Sequence, residues 1–489
     1  MKKINILLAI PKLCIITVFF LSTPLSWCQT GYWDCYPTLK GDGIISRVTN
    51  NGQYGITCYT STHNISSFVV TNGNISINYP TSNYVVSNPF DPNPTLNHGY
   101  SIRDMKIVGD TCWICGTYWR ETGQWKYNMQ GLLYWEILYD GFVGYVLLSD
   151  MINQSCPVKY ISVPFVQYLN KLIVYQDKIA AIGEYETDEG RFVEITRLND
   201  AQWNFTVGQT TCSEEQFKGI TYTGGKVVVL SRFNDPLHVM YYKHGIGLRY
   251  GTLGSFLSTS QKIYCYSTRD ADGTSDFDFW PTAPLIFDKA NTTGSVVVGY
   301  ICNPTEPMDQ YWGRLVYYYF NLENDHHPVC IYNNDNKRYS SIKDFSYHGS
   351  DQTVALLEDS VGNSVFRFSM LQNGSYEKSL TLAGPQMMSV GTYTSSFFDM
   401  GIYAGGNYCN SQNKLSCLHE PLIFARTNSW NSENCALKSI GSSTRITCNS
   451  YYPTRDSVMT VIYSETTAVK TMKFYPSSTL SERVCTDLN

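Results

Sequence analysis

A short pattern recurs along this 489-residue chain at a spacing that limits the folds open to it. The pattern is an apolar residue, any residue, Asp and another apolar residue. Its copies are Ile102–Met105, Ile342–Phe345 and Phe397–Met400 and, without the Asp, Lys171–Tyr175, Phe217–Thr221 and a segment near Phe287. Aligned at positions 104, 171, 219, 287, 344 and 399, the copies lie on average about 59 residues apart, enough for one four-stranded blade. The spacing therefore predicts a β-propeller.

The segments between turn residues are typical of strands rather than helices. No window places apolar residues at i, i+3, i+4 and i+7, whereas β-rich runs bounded by Gly, Asn, Asp, Ser and Pro recur. Such runs are Lys226–Leu230, Ser295–Tyr300, Arg314–Phe320, Ser364–Met370 and Ser457–Tyr463. The 38 Tyr, 22 Phe and 10 Trp also favour strands. The sequence predicts an all-β fold.

Residues 29–489 are expected to form a single propeller of seven blades, with six or eight blades still open. Each blade of a propeller packs only on its neighbours, so the chain can exceed the usual size of one core. We expect the two ends to share a blade, and segments around Ser457–Tyr463 and Thr471–Tyr475 to pair with roughly the first ninety residues after the leader. The alternative is two β-sandwiches joined near residues 266–294.

The first 28 residues predict a secretory signal peptide. Lys2 and Lys3 are followed by the apolar stretch Leu13–Leu21, which is too short to span a membrane. We expect cleavage after Cys28, with lipidation of Cys28 as the alternative. The mature chain would then be exported (periplasmic, cell-surface or secreted) and would have no transmembrane segment.

Cysteine usage fits an oxidising compartment. Of the 16 Cys, two fall in the leader, so an even number is left for disulfides. We expect at least two disulfides, Cys409–Cys417 and Cys435–Cys448 being the local candidates. Cys112 and Cys115 have the spacing of a redox or zinc pair, but on a strand they point to opposite faces, which disfavours both roles.

Four carboxylates form the candidate metal site. Asp270, Asp272, Asp276 and Asp278 flank Gly273 and supply the oxygen ligands that calcium prefers. The segment lacks the Glu that closes an EF-hand loop, and a solvated acidic loop is the alternative interpretation. A structural calcium ion is the only cofactor that the sequence suggests.

Aromatic residues are densest between residues 118 and 145, where the segment Arg120–Met129 is expected to be a projecting loop. Aromatic rings beside polar groups suit stacking on sugars or anchoring a protein partner. The candidate ligand-binding residues are Trp119, Arg120, Glu121, Trp125 and Tyr127. On this hypothesis Trp119 and Trp125 are exposed together on one face, whereas burial of both rings between blades would reject it.

One blade-length stretch resembles a group of uncharacterised secreted, propeller-like proteins of Bacteroidota. The resemblance lies in Ile102–Ile107, in the Cys-Gly step within Asp110–Thr117, and in Gly141–Tyr145 with its Gly-aromatic-x-Gly-aromatic order. It implies a propeller fold and export. It implies no activity.

No catalytic signature accompanies this fold. The chain has no GxSxG elbow and no HExxH helix, and a net charge of −5 leaves no basic footprint for nucleic acid. The sequence therefore favours a non-catalytic binding or scaffold module for a glycan or for an extracellular or periplasmic protein. The alternative is a carbohydrate-active enzyme, a hydrolase or lyase, that uses carboxylates near the central channel.

Overall fold

A computed structural model shows an all-β chain with a β-propeller arrangement. The structure describes residues 32–35, 43–49, 52–60, 66–72, 82–85, 98–128, 130–153, 156–185, 189–211, 215–234, 244–259, 261–269, 276–279, 285–287, 295–304, 314–321, 329–333, 339–348, 352–359, 362–370, 374–380, 386–394, 400–408, 420–425, 437–443, 445–451, 454–477 and 482–486. The predicted signal peptide lies outside these residues.

Strands account for nearly all of the described secondary structure. The first half of the chain holds β1 (Tyr32–Cys35), β2 (Gly43–Val48), β3 (Tyr54–Thr60), β4 (Ser66–Asn72), β5 (Ser82–Val85), β6 (His98–Val108), β7 (Thr111–Tyr127), β8 (Leu133–Leu147), α1 (Leu148–Ile152), β9 (Cys156–Val163), β10 (Tyr168–Tyr175), β11 (Lys178–Tyr185), β12 (Glu189–Arg197), β13 (Gln202–Gln209), β14 (Gln216–Thr223), β15 (Lys226–Asn234), β16 (His244–Gly251), a short 3₁₀ helix (Phe256–Ser258) and β17 (Gln261–Arg269).

The second half continues in the same way. It holds β18 (Asp276–Phe279), β19 (Leu285–Phe287), β20 (Ser295–Pro304), β21 (Arg314–Asn321), β22 (Val329–Asn333), β23 (Tyr339–His348), β24 (Gln352–Asp359), β25 (Ser364–Met370), β26 (Gly374–Leu380), β27 (Gln386–Thr394), β28 (Met400–Tyr408), β29 (Glu420–Ala425), β30 (Leu437–Ser443), β31 (Arg445–Tyr451), β32 (Thr454–Ser457), β33 (Thr460–Ala468), β34 (Lys470–Ser477) and β35 (Glu482–Thr486). No helix among the described residues has the length and apolar character needed to cross a membrane.

The number of blades differs from the prediction, because hydrogen bonding divides the described strands among five sheets rather than seven. Three sheets have five strands, one has nine and one has eleven. In the nine-stranded sheet β34 pairs with both β5 and β9, and in the eleven-stranded sheet β31 pairs with both β17 and β22. The repeat in the sequence marks units of about four strands. Two neighbouring units share β34 and so form the nine-stranded sheet, and two others share β31 and so form the eleven-stranded sheet.

The C-terminal strands β30–β35, here called the belt, add outer strands to every sheet. Along the chain they pair with β26, β22, β17, β13, β9 and β5, and finally β1, which is the reverse of chain order. The prediction for the segment around Thr471–Tyr475 is confirmed, since β34 pairs with β5. The prediction for Ser457–Tyr463 is wrong, because β33 pairs with β13.

The two chain ends meet in one sheet, as expected. Its strand order is β27-β28-β29-β1-β35, so the N-terminal strand lies between β29 and the last strand of the belt. The first strands of successive units also touch in an unbroken circle, in the order β2, β6, β10, β14, β19, β23 and β27, and then β2 again. A closed ring of this kind excludes the alternative of two separate sandwiches.

The recurring Asp pattern marks one structural position. In β6, β10, β14 and β23 a β-bulge directly precedes Asp104, Lys171, Gly219 and Asp344, which confirms that these four positions are equivalent. In β27 the residue after the bulge is Ser389, so the alignment at Asp399 is wrong. Asp399 itself lies outside the described residues. The equivalent position is defined by the bulge in the strand, and a four-residue sequence pattern does not show where that bulge lies. The pattern therefore selected Asp399 instead of Ser389.

We expect the belt to unfold together with the ring. Met472 on β34 is 1% exposed and packs in the core beside β9, so Met472→Ala should lower the free energy of unfolding by about 2–4 kcal/mol. Ile462→Ala, on the exposed face of β33, is the control and should cost less than about 1 kcal/mol. Urea unfolding followed by tryptophan fluorescence measures both. Equal, small effects would mean that the belt is not packed in solution.

Candidate functional site

An extended β-hairpin projects from the nine-stranded sheet. β6 pairs with β7 only as far as Arg120, and β9 pairs with β8 only from Gly141 onward. Beyond these points β7 and β8 pair with each other as far as Tyr127 and Leu133. Residues 121–140 are here called the arm. The predicted loop Arg120–Met129 is therefore wrong for most of its length, because these residues continue strand β7 and turn only after Tyr127.

The tip of the arm is a turn built around Asn128. The Asn128 backbone N–H donates to the carbonyl of Leu132 at 2.9 Å, and its side-chain Oδ1 accepts from the backbone N–H groups of Gln130 and Leu132. Gly131 adopts a φ of +74°, which glycine reaches without strain. Asparagine and glycine are common at such turns for these reasons. The turn sets the register in which the two arm strands pair.

One face of the arm is apolar. Trp125 lies opposite Trp135, and Tyr127 lies opposite Leu133, so their backbone positions share one face with Ile137 and Tyr139. The exposed fractions are 59% for Trp125, 73% for Tyr127, 51% for Leu133, 36% for Ile137 and 37% for Tyr139. Monomeric proteins rarely leave a continuous strip of this kind in water unless it is a contact surface.

The opposite face of the arm is polar. Lys126 forms an ion pair with Glu136, which also accepts a hydrogen bond from the Thr122 hydroxyl at 2.8 Å. The hydrogen bond from Lys126 lowers the pKa of the Glu136 carboxyl below its ordinary value. The two charges of this pair are therefore satisfied within the arm. On the apolar face, Glu121 lies opposite Ile137 and places one carboxylate near the base of the arm.

The structure brings the five predicted ligand-binding residues together at the base and along the first strand of the arm. Trp125 and Tyr127 are strongly exposed on the apolar face, whereas Arg120, which pairs with Leu138, is exposed on the other face. Trp119 and Glu121 are only partly exposed. The Trp119 indole packs over the backbone of Gly99, and its buried N–H has no hydrogen-bond partner among the described residues. The expectation that both indoles are exposed together is therefore wrong, because Trp125 is exposed but Trp119 is largely covered.

The apolar face of the arm continues toward the neighbouring sheet. The rings of Tyr139 and Tyr168 lie 6.3 Å apart, and Gly141 donates a backbone hydrogen bond to Val166. Next to Val166, Phe165 is 48% exposed, and its ring lies 5.0 Å from that of Tyr463 on the belt. Sequence analysis missed Phe165, which lies in the turn between β9 and β10 with a φ of +63°.

Charged side chains also converge where the first strands of the units meet. Arg47 on β2 forms ion pairs with Asp104 on β6 at 3.1 Å and with Asp344 on β23 at 3.5 Å. Burial by itself lowers the pKa of Arg47, but Asp344 and Asp104 raise it on balance. The sequence singled out both carboxylates through the repeat, but nothing in the pattern around Arg47 indicated that it joins them.

Both carboxylates are also hydrogen-bonded to the backbone of the next unit. Asp104 accepts from the N–H of Leu172 at 3.0 Å, and Asp344 accepts from the N–H of Val390 at 2.8 Å. The Ser389 hydroxyl donates to Asp344 and accepts from the N–H of Ser46 at 2.8 Å. The recurring Asp therefore links one unit of the ring to the next.

The predicted calcium site stays a prediction. Asp270 and Asp272 lie outside the described residues, and Asp276 and Asp278 are described only as backbone positions of β18. Within the part of the chain whose side chains are described, no three His, Cys, Asp or Glu side chains group as a metal site would require.

The described cysteines are buried thiols. Cys112 and Cys115 lie in cores on opposite sides of their sheet, as predicted, and burial raises the pKa of both. Burial likewise raises the pKa of Cys156 to about 12, so this group is a poor nucleophile at neutral pH. The four cysteines whose side chains are described form no disulfide. Cys409, Cys417 and Cys435 lie outside the described residues, and the predicted pairings are untested.

Comparison of the sequence with protein-family models and with curated proteins finds no match.

Proposed function

We propose that the protein is an exported, non-catalytic β-propeller that acts as a binding or scaffold module, and that the arm contacts its glycan or protein ligand. The observation that carries this proposal is the exposed apolar face of the arm. A large ring left in water forgoes a burial gain of roughly 2–3 kcal/mol, so a row of such rings is poorly explained by stability. Arg120, exposed at the base of the arm on its polar face, is a further charged donor suited to a carboxylate or a sugar hydroxyl.

The test replaces Trp125 and Tyr127 together with Ala. Binding to a glycan array, and to candidate exported proteins measured by surface plasmon resonance, should weaken by at least tenfold, because these two are the most exposed of the arm rings whose side chains the structure describes. The melting temperature should change by no more than about 1 °C, since little buried area is lost.

The matched control is Tyr134→Ala, which removes a ring that is 45% exposed from the polar face of the same arm. We expect ligand affinity to change less than about twofold for this variant. If the control and the double variant weaken binding equally, or if neither does, the apolar face is not the contact surface.

A second candidate function is a hydrolase or lyase. The observation in its favour is that Asp104 and Asp344 approach the same guanidinium group of Arg47. Against it, both carboxylates are nearly buried and accept backbone hydrogen bonds, which suits a structural link. A polysaccharide cleavage screen of the wild type beside Asp104→Asn decides between them. If the wild type cleaves a polysaccharide and the Asp104→Asn protein is folded but inactive, the enzyme is favoured.

A further inference from the structure

The β8 side of the arm is an open sheet edge. β9 pairs with β8 at Gly141–Tyr145, and no described strand pairs with the Leu133–Asp140 edge on that side. Unpaired edges of this length readily accept another strand, because a row of backbone N–H and C=O groups is available. A two-stranded ribbon is also only marginally stable in water, and a third strand with an apolar face stabilises it.

The sequence of this edge allows it to pair antiparallel with the same edge of a second chain. In an antiparallel pair, residues opposite each other share a face, so two copies of the edge can align only in registers that keep the apolar face together. A twofold axis at Ile137 satisfies this condition. The pairs are then Ile137 with Ile137, Glu136 with Leu138, and Tyr134 with Asp140.

The charges of the edge favour this register over its neighbours. Shifting the axis to Glu136 would place two Glu136 carboxylates opposite each other. Shifting it to Leu138 would place Glu136 opposite Asp140. Like charges directly opposite are destabilising in a β-ladder, whereas the register centred on Ile137 keeps every carboxylate opposite an uncharged residue.

Other occupants fit this edge less well. Ile137 and Leu138, at the centre of the edge, offer no hydrogen-bonding side chain to a sugar. Lys126 is already paired with Glu136, so the arm has little free positive charge with which to attract an anionic membrane. An unpaired backbone edge flanked by apolar side chains instead suits another strand of the same kind.

We propose that the arm binds the arm of a second copy of this chain, with the two β8 edges paired antiparallel about a twofold axis at Ile137. This rests on the proposed contact role of the arm and names its partner. Two arms would form one four-stranded sheet with a continuous apolar face. The pairing would bury mainly the backbone edge and the flanks of the side chains beside it, an area no larger than the roughly 1,000 Å² lower limit for specific interfaces, so we expect a weak, reversible dimer of micromolar affinity.

The decisive experiment places single cysteines on the edge of the full mature chain. Ile137→Cys puts two thiols opposite each other at the axis, so mild oxidation with oxidised glutathione should yield a disulfide-linked dimer on a non-reducing gel. Leu138→Cys is the matched control. Its neighbour across the interface is Glu136, so it should cross-link at least tenfold more slowly.

A second measurement does not depend on cross-linking. Sedimentation velocity at about 100 μM, well above the expected Kd, should show a dimer that Ile137→Lys converts to a monomer. Ile462→Lys on the belt should leave the dimer unchanged. Equal cross-linking at positions 137 and 138, or a wild-type monomer at this concentration, would overturn the proposal. If the wild type is a monomer but replacing Trp125 and Tyr127 still weakens binding to a glycan or to another protein, the arm is a contact surface and only the dimer is rejected.

Discussion

Replacing Arg249 with Met should lower the free energy of unfolding by about 3–5 kcal/mol, because it leaves a carboxylate buried without its cation. Arg249 on β16 is fully buried, and its Nε donates to the Oε1 of Glu215 at 2.9 Å. Glu215, which is 1% exposed, also accepts from the Thr210 hydroxyl. Its backbone carbonyl accepts from Gly190, so the pair lies where two sheets meet.

The loss should depend on pH in a definite direction. Burial on its own raises the pKa of Glu215, but the Arg249 guanidinium lowers it on balance, below the unfolded value of about 4.3. In the wild type, Glu215 therefore contributes stability above that pH, and the contribution is lost as pH falls through the folded pKa. In the variant the buried carboxylate is unfavourable, so the difference between the two proteins should be larger at pH 7 than at pH 4. Urea unfolding at both pH values measures it.

Two further variants show whether the buried charge is responsible. Lys343→Met breaks an ion pair with Glu358 that is about one-quarter exposed, and it should cost less than about 1 kcal/mol. Adding Glu215→Leu to Arg249→Met removes the orphaned charge and should recover part of the stability. If the double variant is no more stable than Arg249→Met, loss of packing rather than an unpaired charge explains the effect.

Replacing Arg47 with Ala should lower the free energy of unfolding by about 2–4 kcal/mol, because Asp104 and Asp344 are nearly buried and then lose their shared cation. Since Arg47 joins β2 to β6 and β23, its replacement is expected to weaken the contacts between units of the ring rather than the pairing of strands within one sheet. Amide hydrogen exchange should show faster exchange at Leu172 and Val390, whose N–H groups bond the two carboxylates.

The control for Arg47 is Arg103→Ala, which removes an exposed guanidinium on the residue preceding Asp104. Arg103 bonds Asn170 and stacks on Tyr168 at the surface, so its loss should cost less than about 1 kcal/mol. A double-mutant cycle between Arg47 and Asp104 should give a coupling of about 1–3 kcal/mol. Additive effects would show that Arg47 acts without the carboxylates.

Local pattern was sufficient to place individual strands. Ser364–Met370 was predicted with the bounds that the structure shows, and Lys226–Leu230 lies inside β15. The end of the chain was harder, since Ser457–Tyr463 spans the break between β32 and β33. The two residues between β32 and β33 are Val458 and Met459, which are not typical turn residues, so the sequence does not show the break.

In the candidate site, too, some features could be predicted from the sequence and others could not. The aromatic density near Trp125 was evident in the sequence, and the ring is exposed as expected. That these residues form a hairpin rather than a loop depends on pairing with β8, and Trp119 is only partly exposed because its indole packs over Gly99. Exposure of a side chain is a property of its neighbours, and those are brought together only by the folded chain.

The sequence by itself determined that this chain is all-β and that Asp104 and Asp344 occupy equivalent positions, because strand propensity and the bulge pattern are local properties. Only the tertiary structure decided how many sheets form and how Arg47 joins the two carboxylates. From β31 onward the belt pairs with strands more than about 100 residues away, and Arg47 meets Asp344 across 297 positions of sequence. Such contacts follow from closing the ring, and no short stretch of sequence specifies them.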